Sequence, residues 1–410
     1  MSVLRKRLID LAILNGEPAL PVKLHVGSPN IGDRSRLMAR IQDALDRRWL
    51  SNGGVHVREF ERRVAQVAGV RHCIAMCNGT VALEIAVRAR GLTGEVILPS
   101  FTFVATAHAL RSQGITPVFC DIDPRTHNLD PTRVESLITS RTTGILGVHV
   151  WGRSCDVEAL DEIARKHRLG LLFDAAHAFG CSHKGRRIGS WGDAEVYSFH
   201  ATKFVNACEG GAVVTNDSDL AARAELMRNF GFAGYDRVVC LGTNGKMSEL
   251  SAAMGLTSLD SMDEFIETNR RNYQQYRREL ADVPGLEIVA YDEADRNNYQ
   301  YVVVVVNDSL LELSRDDLVR VLHEENVIAR RYFYPGCHHM EPYRSESPYV
   351  HMCLPHTEIL ARRVMCLPTG TTVTAEAIST VCRILRLAVT HQRELRRFLD
   401  EYRDDLASVG

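Results

Sequence analysis

The chain lacks a basic excess. Among its 410 residues, 49 Lys and Arg stand against 51 Asp and Glu, a formal net charge of −2. Proteins that wrap nucleic acid carry a clear basic surplus, so that class is excluded. An acidic, aromatic-poor solvating chain is excluded as well. The cysteines are unpaired: eleven stand singly, with no C-x-x-C. That pattern argues against a disulfide framework and for reduced, mostly buried thiols in a cytoplasmic protein. Long hydrophobic runs are missing too. The longest aliphatic run is Val302 to Val306, far short of the roughly 20 residues of a membrane helix. It reads as a buried strand, and no membrane partner is expected. Basic residues and a short apolar stretch open the chain, but Asp10 interrupts them and no small-residue cleavage site follows. No signal peptide is expected. Neither G-x-x-x-x-G-K-[ST] nor G-x-G-x-x-G occurs, which disfavours a Walker site and a nicotinamide cofactor.

What is present is ordinary globular composition, 45% hydrophobic and 24% charged. At roughly 150 residues per domain, the length suggests two or three domains. Residues 33–50 and 58–68 carry apolar positions at helical spacing. From about 72 to 216, short β-rich runs alternate with helical stretches. The runs are His72–Met76, Glu95–Pro99, Pro117–Asp121, Gly144–Val150, Gly170–Asp174, Ala194–Phe199 and Gly211–Thr215. Helical stretches between them include Thr80–Arg90, Ala105–Gln113, Pro131–Ser140 and Val157–His167. This alternation predicts a mostly parallel sheet covered by helices on both faces. A long helix is expected from Met247 to about Leu280, then a strand at Tyr299–Val306 and helices at 315–325, 357–363 and 375–405. The expected division is a large α/β domain over 1–265, with an N-terminal helical segment, and a smaller C-terminal α/β domain over 266–410.

Four features carry chemistry. Lys203 follows the run Ala194–Phe199 and precedes Glu209-Gly210-Gly211. An ammonium at the mouth of a buried strand is costly without a partner, whereas a plain loop lysine is solvated. Asp174 ends the apolar run Leu171-Leu172-Phe173. Open α/β sheets bind ligands at the carboxyl ends of their strands, although an aspartate there is equally a helix cap. Asn78-Gly79-Thr80-Val81 joins a strand to a helix, and free amides at a helix N-terminus cradle phosphate. Simple capping is the plain alternative. Phe103 lies just past the run Glu95–Pro99, where a ring stacks on a flat ligand or packs in the core. Together these supply a phosphate cradle, a stacking ring, a carboxylate and a lysine on successive strand ends. One cofactor asks for all four: pyridoxal 5′-phosphate.

These residues sit in segments that resemble the DegT/DnrJ sugar aminotransferases, a branch of the fold-type I pyridoxal-phosphate enzymes. The resemblance runs through NGTVALEIA, GEVILPSFTFVATAHAL, FDAAHAFG, SFHATK…EGGAVVT, KMSELSAAMGL and YPGCHHMEPY. FDAAHA places its aspartate 29 residues ahead of the lysine of SFHATK. The resemblance implies a seven-stranded large domain and a transaminase active site. It implies that Lys203 carries the cofactor as a Schiff base and that Asp174 partners the pyridine nitrogen. Gly79, Thr80, Val81 and Ser198 match phosphate-binding positions, Phe103 matches the stacking ring, and His177 lies beside the cofactor. A partner subunit donates an asparagine in this family, so a homodimer with shared sites is implied, and Asn244 is the nearest match. His200, Tyr334 and His338 match positions on the substrate side. One branch of the family replaces the lysine with histidine and dehydrates instead. Lys203 places this chain with the transaminating branch.

Members that act at C3 tend to read SFYPxK…GDGGA, and those that act at C4 tend to read SFHxTK…EGGA. His200 and Glu209 match the C4 group. The implied reaction is amination at C4 of a nucleotide-linked 4-keto-6-deoxyhexose, with dTDP the expected nucleotide and L-glutamate the donor. Antibiotic or surface-polysaccharide sugars are the implied setting. A C3-specific enzyme, another pyridoxal-phosphate reaction, and an inert regulator or scaffold on this fold remain as alternatives. Cys337, His338, His339, His351 and Cys353 lack the usual ligand spacing, so no metal site is expected.

Overall fold

A computed structural model describes residues 6–346 and 354–408. The seven β-rich runs form one sheet. Its order is His72–Met76, Gly211–Thr215, Ala194–Ser198, Gly170–Asp174, Thr142–Val148, Glu95–Pro99 and Thr116–Cys120. Gly211–Thr215 runs antiparallel to both neighbours. Every other pairing is parallel. Glu95–Pro99 and Gly170–Asp174 are buried at every position, as strands covered on both faces must be. One face carries the helices Gly79–Arg90, Val104–Arg111 and Ser218–Arg228. The other carries Val55–Ala68, Val157–His167 and Glu249–Asp260. Gly255 lets the last of these press on its neighbour: a Cβ there would come within 2.5 Å of the Phe60 ring.

A second, antiparallel sheet holds Leu286–Ile288, Val302–Val306 and Val364–Leu367, with the valine strand in the middle. Four of the five valines are buried, each stabilising the fold by about 1.5–3 kcal/mol relative to exposure. The strand starts later than the sequence predicts. Tyr299 takes a left-handed conformation (φ 49°), which breaks extended pairing before Val302. Helices Met262–Leu280, Arg315–Glu324 and Ala375–Thr390 cover this sheet.

Other boundaries also move. The expected helix from Met247 to Leu280 is two helices, because the Ser261 N–H turns back to Ser258 O and ends the first. The expected 375–405 helix breaks at His391 into Ala375–Thr390 and Gln392–Ser408. Pro131–Ser140 contains only a single turn, Pro131–Val134, followed by a 3-10 turn. Among the described cysteines all ten are free thiols. No helix among the described residues is long and apolar enough to cross a membrane.

The N-terminal segment departs from the expected grouping over 1–265. Leu11 and Ile13 join the C-terminal core, and Leu24–His25 pairs in parallel with Val327–Ile328. The faces of the large sheet already carry their own helices. The C-terminal core, by contrast, offers a buried acceptor. Glu325 accepts hydrogen bonds from Lys6 Nζ (2.6 Å), Ala12 N (2.8 Å) and Ala19 N (2.6 Å). Its side chain is fully buried. Replacing Glu325 by alanine strands two amides and an ammonium, so Glu325→Ala is expected to cost about 3–5 kcal/mol. The check is a urea-unfolding midpoint. An unchanged midpoint would show that this carboxylate does not anchor the segment.

Candidate active site

The carboxyl ends of the large sheet's strands open into a cavity of about 660 Å³. Asp174 ends the central strand Gly170–Asp174 and forms part of the cavity wall. Its Oδ2 accepts from Thr106 Oγ1 (2.8 Å), and Oδ1 accepts from the Ala176 amide (3.0 Å). Thr106 is itself held by Thr102 Oγ1 at 2.9 Å. Burial pushes the Asp174 carboxyl pKa up, while the two hydrogen bonds and nearby Lys203 pull it down. The carboxylate is therefore oriented by two uncharged donors, with Lys203 and then His149 as the positive groups that act on it from further off.

Lys203 lies on a loop pinned at several points. The Lys203 amide donates to His200 O (2.8 Å), Phe204 N to Gln300 Oε1 (3.2 Å), and Asn206 N to Ser258 Oγ (3.1 Å). Asn30 donates to Phe204 O at 3.1 Å, which ties the N-terminal segment to the same loop. Lys203 Nζ reaches Tyr301 Oη at 3.3 Å. Burial lowers its pKa to about 8, against the opposing pull of Asp174. A primary amine at that value is substantially neutral, and so nucleophilic, near pH 8.

At the strand–helix turn the capping alternative is seen directly. Asn78 caps the helix by accepting from the Val81 amide at 2.9 Å. Val81, whose amide is thus taken, does not line the cavity, whereas Gly79 and Thr80 do. A Cβ on Gly79 would stand 3.2 Å from Ser198 Cβ, so the glycine keeps the cradle open toward that hydroxyl. Phe103 precedes the helix Val104–Arg111 and is 57% exposed on the cavity wall.

His177 is buried. Its Nδ1 accepts from the Trp151 amide (3.3 Å), and its ring lies 4.5 Å from the Tyr301 ring and 5.7 Å from the Phe333 ring. Burial, and then Lys203, hold its pKa well below the usual imidazole range. A neutral ring suits contact with a flat cofactor. His200 reaches the same cavity, with Nδ1 2.8 Å from Thr202 Oγ1 and Nε2 3.6 Å from Glu209 Oε1.

Besides Val81, three expected residues lie outside the cavity lining. Asn244 forms a backbone bridge with Asn229 on the exposed surface and does not line its own chain's cavity. Tyr334 lies 5.3 Å from the Arg315 guanidinium and 5.1 Å from that of Arg331, and does not line the cavity. His338 turns toward Ser100, with Nδ1 2.6 Å from Oγ, and also lies outside the cavity. Of the remaining metal candidates, His351 and Cys353 lie outside the described residues. The sequence reading missed Arg330, Tyr332, Phe333 and Tyr301, which the second sheet and its loop deliver to the wall, and His25–Pro29 from the N-terminal segment. Tyr301 lies 98 residues beyond Lys203. Its one sequence signal is a polar aromatic ahead of the valine run.

This donor set fits pyridoxal phosphate: an open glycine turn beside a serine, a buried carboxylate hydrogen-bonded only by uncharged donors, and a lysine of lowered pKa. A family model described as the DegT/DnrJ/EryC1/StrS aminotransferase family matches residues 32–386. The chain belongs to this family. This DegT/DnrJ/EryC1/StrS aminotransferase is 35% identical over 364 residues to the dTDP-4-amino-4,6-dideoxy-D-glucose transaminase of Shigella dysenteriae, covering 88% of this chain and 98% of that protein. It is 33% identical over 353 residues to the dTDP-3-amino-3,6-dideoxy-alpha-D-galactopyranose transaminase of Aneurinibacillus thermoaerophilus, covering 84% and 94%. Its fold superimposes on a crystal structure of DesI in the presence of its TDP-sugar product, with a TM-score of 0.92 and 54% identity over 96% of this chain and all of that one. The aminotransferase uses pyridoxal phosphate and acts on a sugar nucleotide.

The lowered Lys203 pKa gives a test of this lysine as the amine that would capture the cofactor. The neutral amine would be the nucleophile, so capture by cofactor-free protein is expected to speed up through about pH 8, rather than near 10.4 as for free lysine. Stopped-flow absorbance across pH 6–10, taken as a roughly spaced series, checks this. A midpoint at the free-lysine value would remove the role assigned to burial.

Proposed function

We propose that this aminotransferase moves the amino group of L-glutamate to C4 of a dTDP-linked 4-keto-6-deoxyhexose, giving a 4-amino-4,6-dideoxy sugar nucleotide. The observation that carries the reading is Lys203 Nζ and the Asp174 carboxylate in one cavity, with the Gly79 cradle beside Ser198. Asp174 would face the pyridine nitrogen, Gly79, Thr80 and Ser198 would hold the phosphate, and Phe103 and His177 would flank the ring. Bound pyridoxal phosphate supplies an aldehyde for the amine and a ring that takes up electrons. Lys203 Nζ holds the cofactor at rest. When released, it would take a proton from the donor's Cα as base and, in the second half of the exchange, deliver one to the sugar carbon that receives the amino group as acid. Tyr301 Oη, 3.3 Å away, steadies that amine.

Support for C4 is the His200–Glu209 pair at the cavity wall and the activity named for the Shigella relative. Support for dTDP is the nucleotide named for the relatives and the TDP sugar of the DesI structure. The Aneurinibacillus relative is named as a C3 enzyme, so C3 is the second reading. Free thiols and phosphorylated substrates suit the cytoplasm.

Incubation of the holoenzyme with a dTDP-4-keto-6-deoxyhexose and glutamate, followed by NMR of the product, is expected to show the new amine at C4. An amine at C3 would replace the reading with the second one. Lys203→Ala is expected to abolish turnover and the yellow absorbance above about 400 nm that borohydride removes from the wild type. Continued transamination by that variant would sink the lysine assignment.

A homodimer is part of the reading. Residues 230–241 expose Phe230, Phe232, Tyr235, Val238 and Leu241, with Tyr235 fully exposed. A contiguous apolar stretch of this kind marks an interface. We place the second copy there, with Asn244 the residue that reaches toward the partner's cavity. Sedimentation of the holoenzyme is expected to give a dimer that Leu241→Asp weakens. A wild-type monomer at micromolar concentration would reject the shared site.

A further inference from the structure

Outside the cofactor cavity, the turn Cys337–His339 and the helix Pro355–Arg363 bring three ligand-type side chains together. One nitrogen from each of His338 and His339 and one oxygen of Glu358 all lie within 4.8 Å of one another. His338 Nε2 is 3.7 Å from Glu358 Oε1, and His339 Nε2 is 3.8 Å from the same oxygen. The two imidazole centroids are 3.9 Å apart. These separations are too long for direct hydrogen bonds. They are close to the edges of a coordination polyhedron. With bonds of about 2.0–2.2 Å, ligands of a tetrahedral site stand about 3.3–3.6 Å apart.

His338 supplies the observation that points to a ligand. Its Nε2 is buried without a hydrogen-bond partner. The rest of the residue is anchored: Nδ1 lies 2.6 Å from Ser100 Oγ, and its amide donates to the same oxygen at 3.0 Å. A partner on one ring nitrogen fixes the ring's orientation and leaves the other nitrogen for a ligand, as in metal-bound histidines. A buried imidazole nitrogen left unmatched is unfavourable, and an ion shared with Glu358 would satisfy it.

We propose that His338, His339 and Glu358 bind a divalent transition-metal ion of the zinc class, with water in the open position. Two imidazoles and a carboxylate are the donor set that suits zinc, and three protein ligands leave one position free. This reverses the expectation drawn from sequence spacing. The third ligand stands 19 residues beyond His339, and helix Pro355–Arg363 brings it back. The loop that ends at this cluster carries Arg330, Tyr332 and Phe333 into the cofactor cavity. A bound ion would clamp the end of that loop to the helix and stiffen the cavity wall. The site stands independently of the substrate assigned above.

The test is calorimetric titration of the full-length, cofactor-loaded protein with Zn²⁺, with Co²⁺ ligand-field absorption as the reporter of geometry. His339→Ala and Glu358→Gln are the variants, since both side chains are partly exposed and neither lines the cavity. The wild type is expected to bind one ion per chain and to gain thermal stability with added Zn²⁺. Each variant is expected to bind at least about tenfold more weakly and to lose the cobalt bands. Binding retained in either variant, or no stoichiometric binding by the wild type at micromolar Zn²⁺, overturns the proposal.

Discussion

A carboxylate buried at the end of a central strand must be answered by donors and by charge, and the site is organised around that demand at Asp174. Thr106 and the Ala176 amide hold its two oxygens. Neither brings a positive charge, so burial still raises the carboxyl pKa. A protonated ring nitrogen would supply the missing charge, which is why this environment favours a pyridinium over a neutral pyridine. Lys203 is the complementary case. Its amine is partly desolvated and loses basicity, and a less basic amine is the better nucleophile near neutral pH. The same burial that strains the two charges apart from water makes each useful.

The second sheet completes the site. Its valine strand presents Tyr301 to Lys203, and the loop after Val327–Ile328 presents Arg330, Tyr332 and Phe333. The N-terminal segment returns through the Glu325 anchor and the Leu24–His25 pairing. It then lines the cavity with His25–Pro29. Three stretches distant in sequence thus meet over the strand ends. Asn30, which bonds Phe204 and also Thr371, fastens the N-terminal segment to the lysine loop and to the turn after Val364–Leu367.

Much of this was legible locally. The large-sheet strands were readable because apolar runs bounded by turns have few other uses. Asp174, Lys203 and the Gly79 turn were readable because each sits at the carboxyl end of such a run, where the topology leaves room for a ligand. Tyr334 and His338 match substrate-side positions of the family, but neither lines the cavity, whereas Arg330 and Tyr332 of the same loop do. Nothing in the order of residues tells which face of an irregular loop meets the cavity. The two breaks at Ser261 and His391 were likewise hidden, since helical periodicity runs through both.

By itself the sequence determined the α/β alternation, the cofactor class and the strand-end residues that line the cavity, because those depend on short segments with their own chemistry. Tertiary structure alone decided which distant side chains join them. Tyr301 beside Lys203, the N-terminal wall, and Glu358 opposite two histidines all depend on chain reversals. Such contacts are set by how helices and sheets pack, and packing acts between segments that carry no mark of each other in sequence.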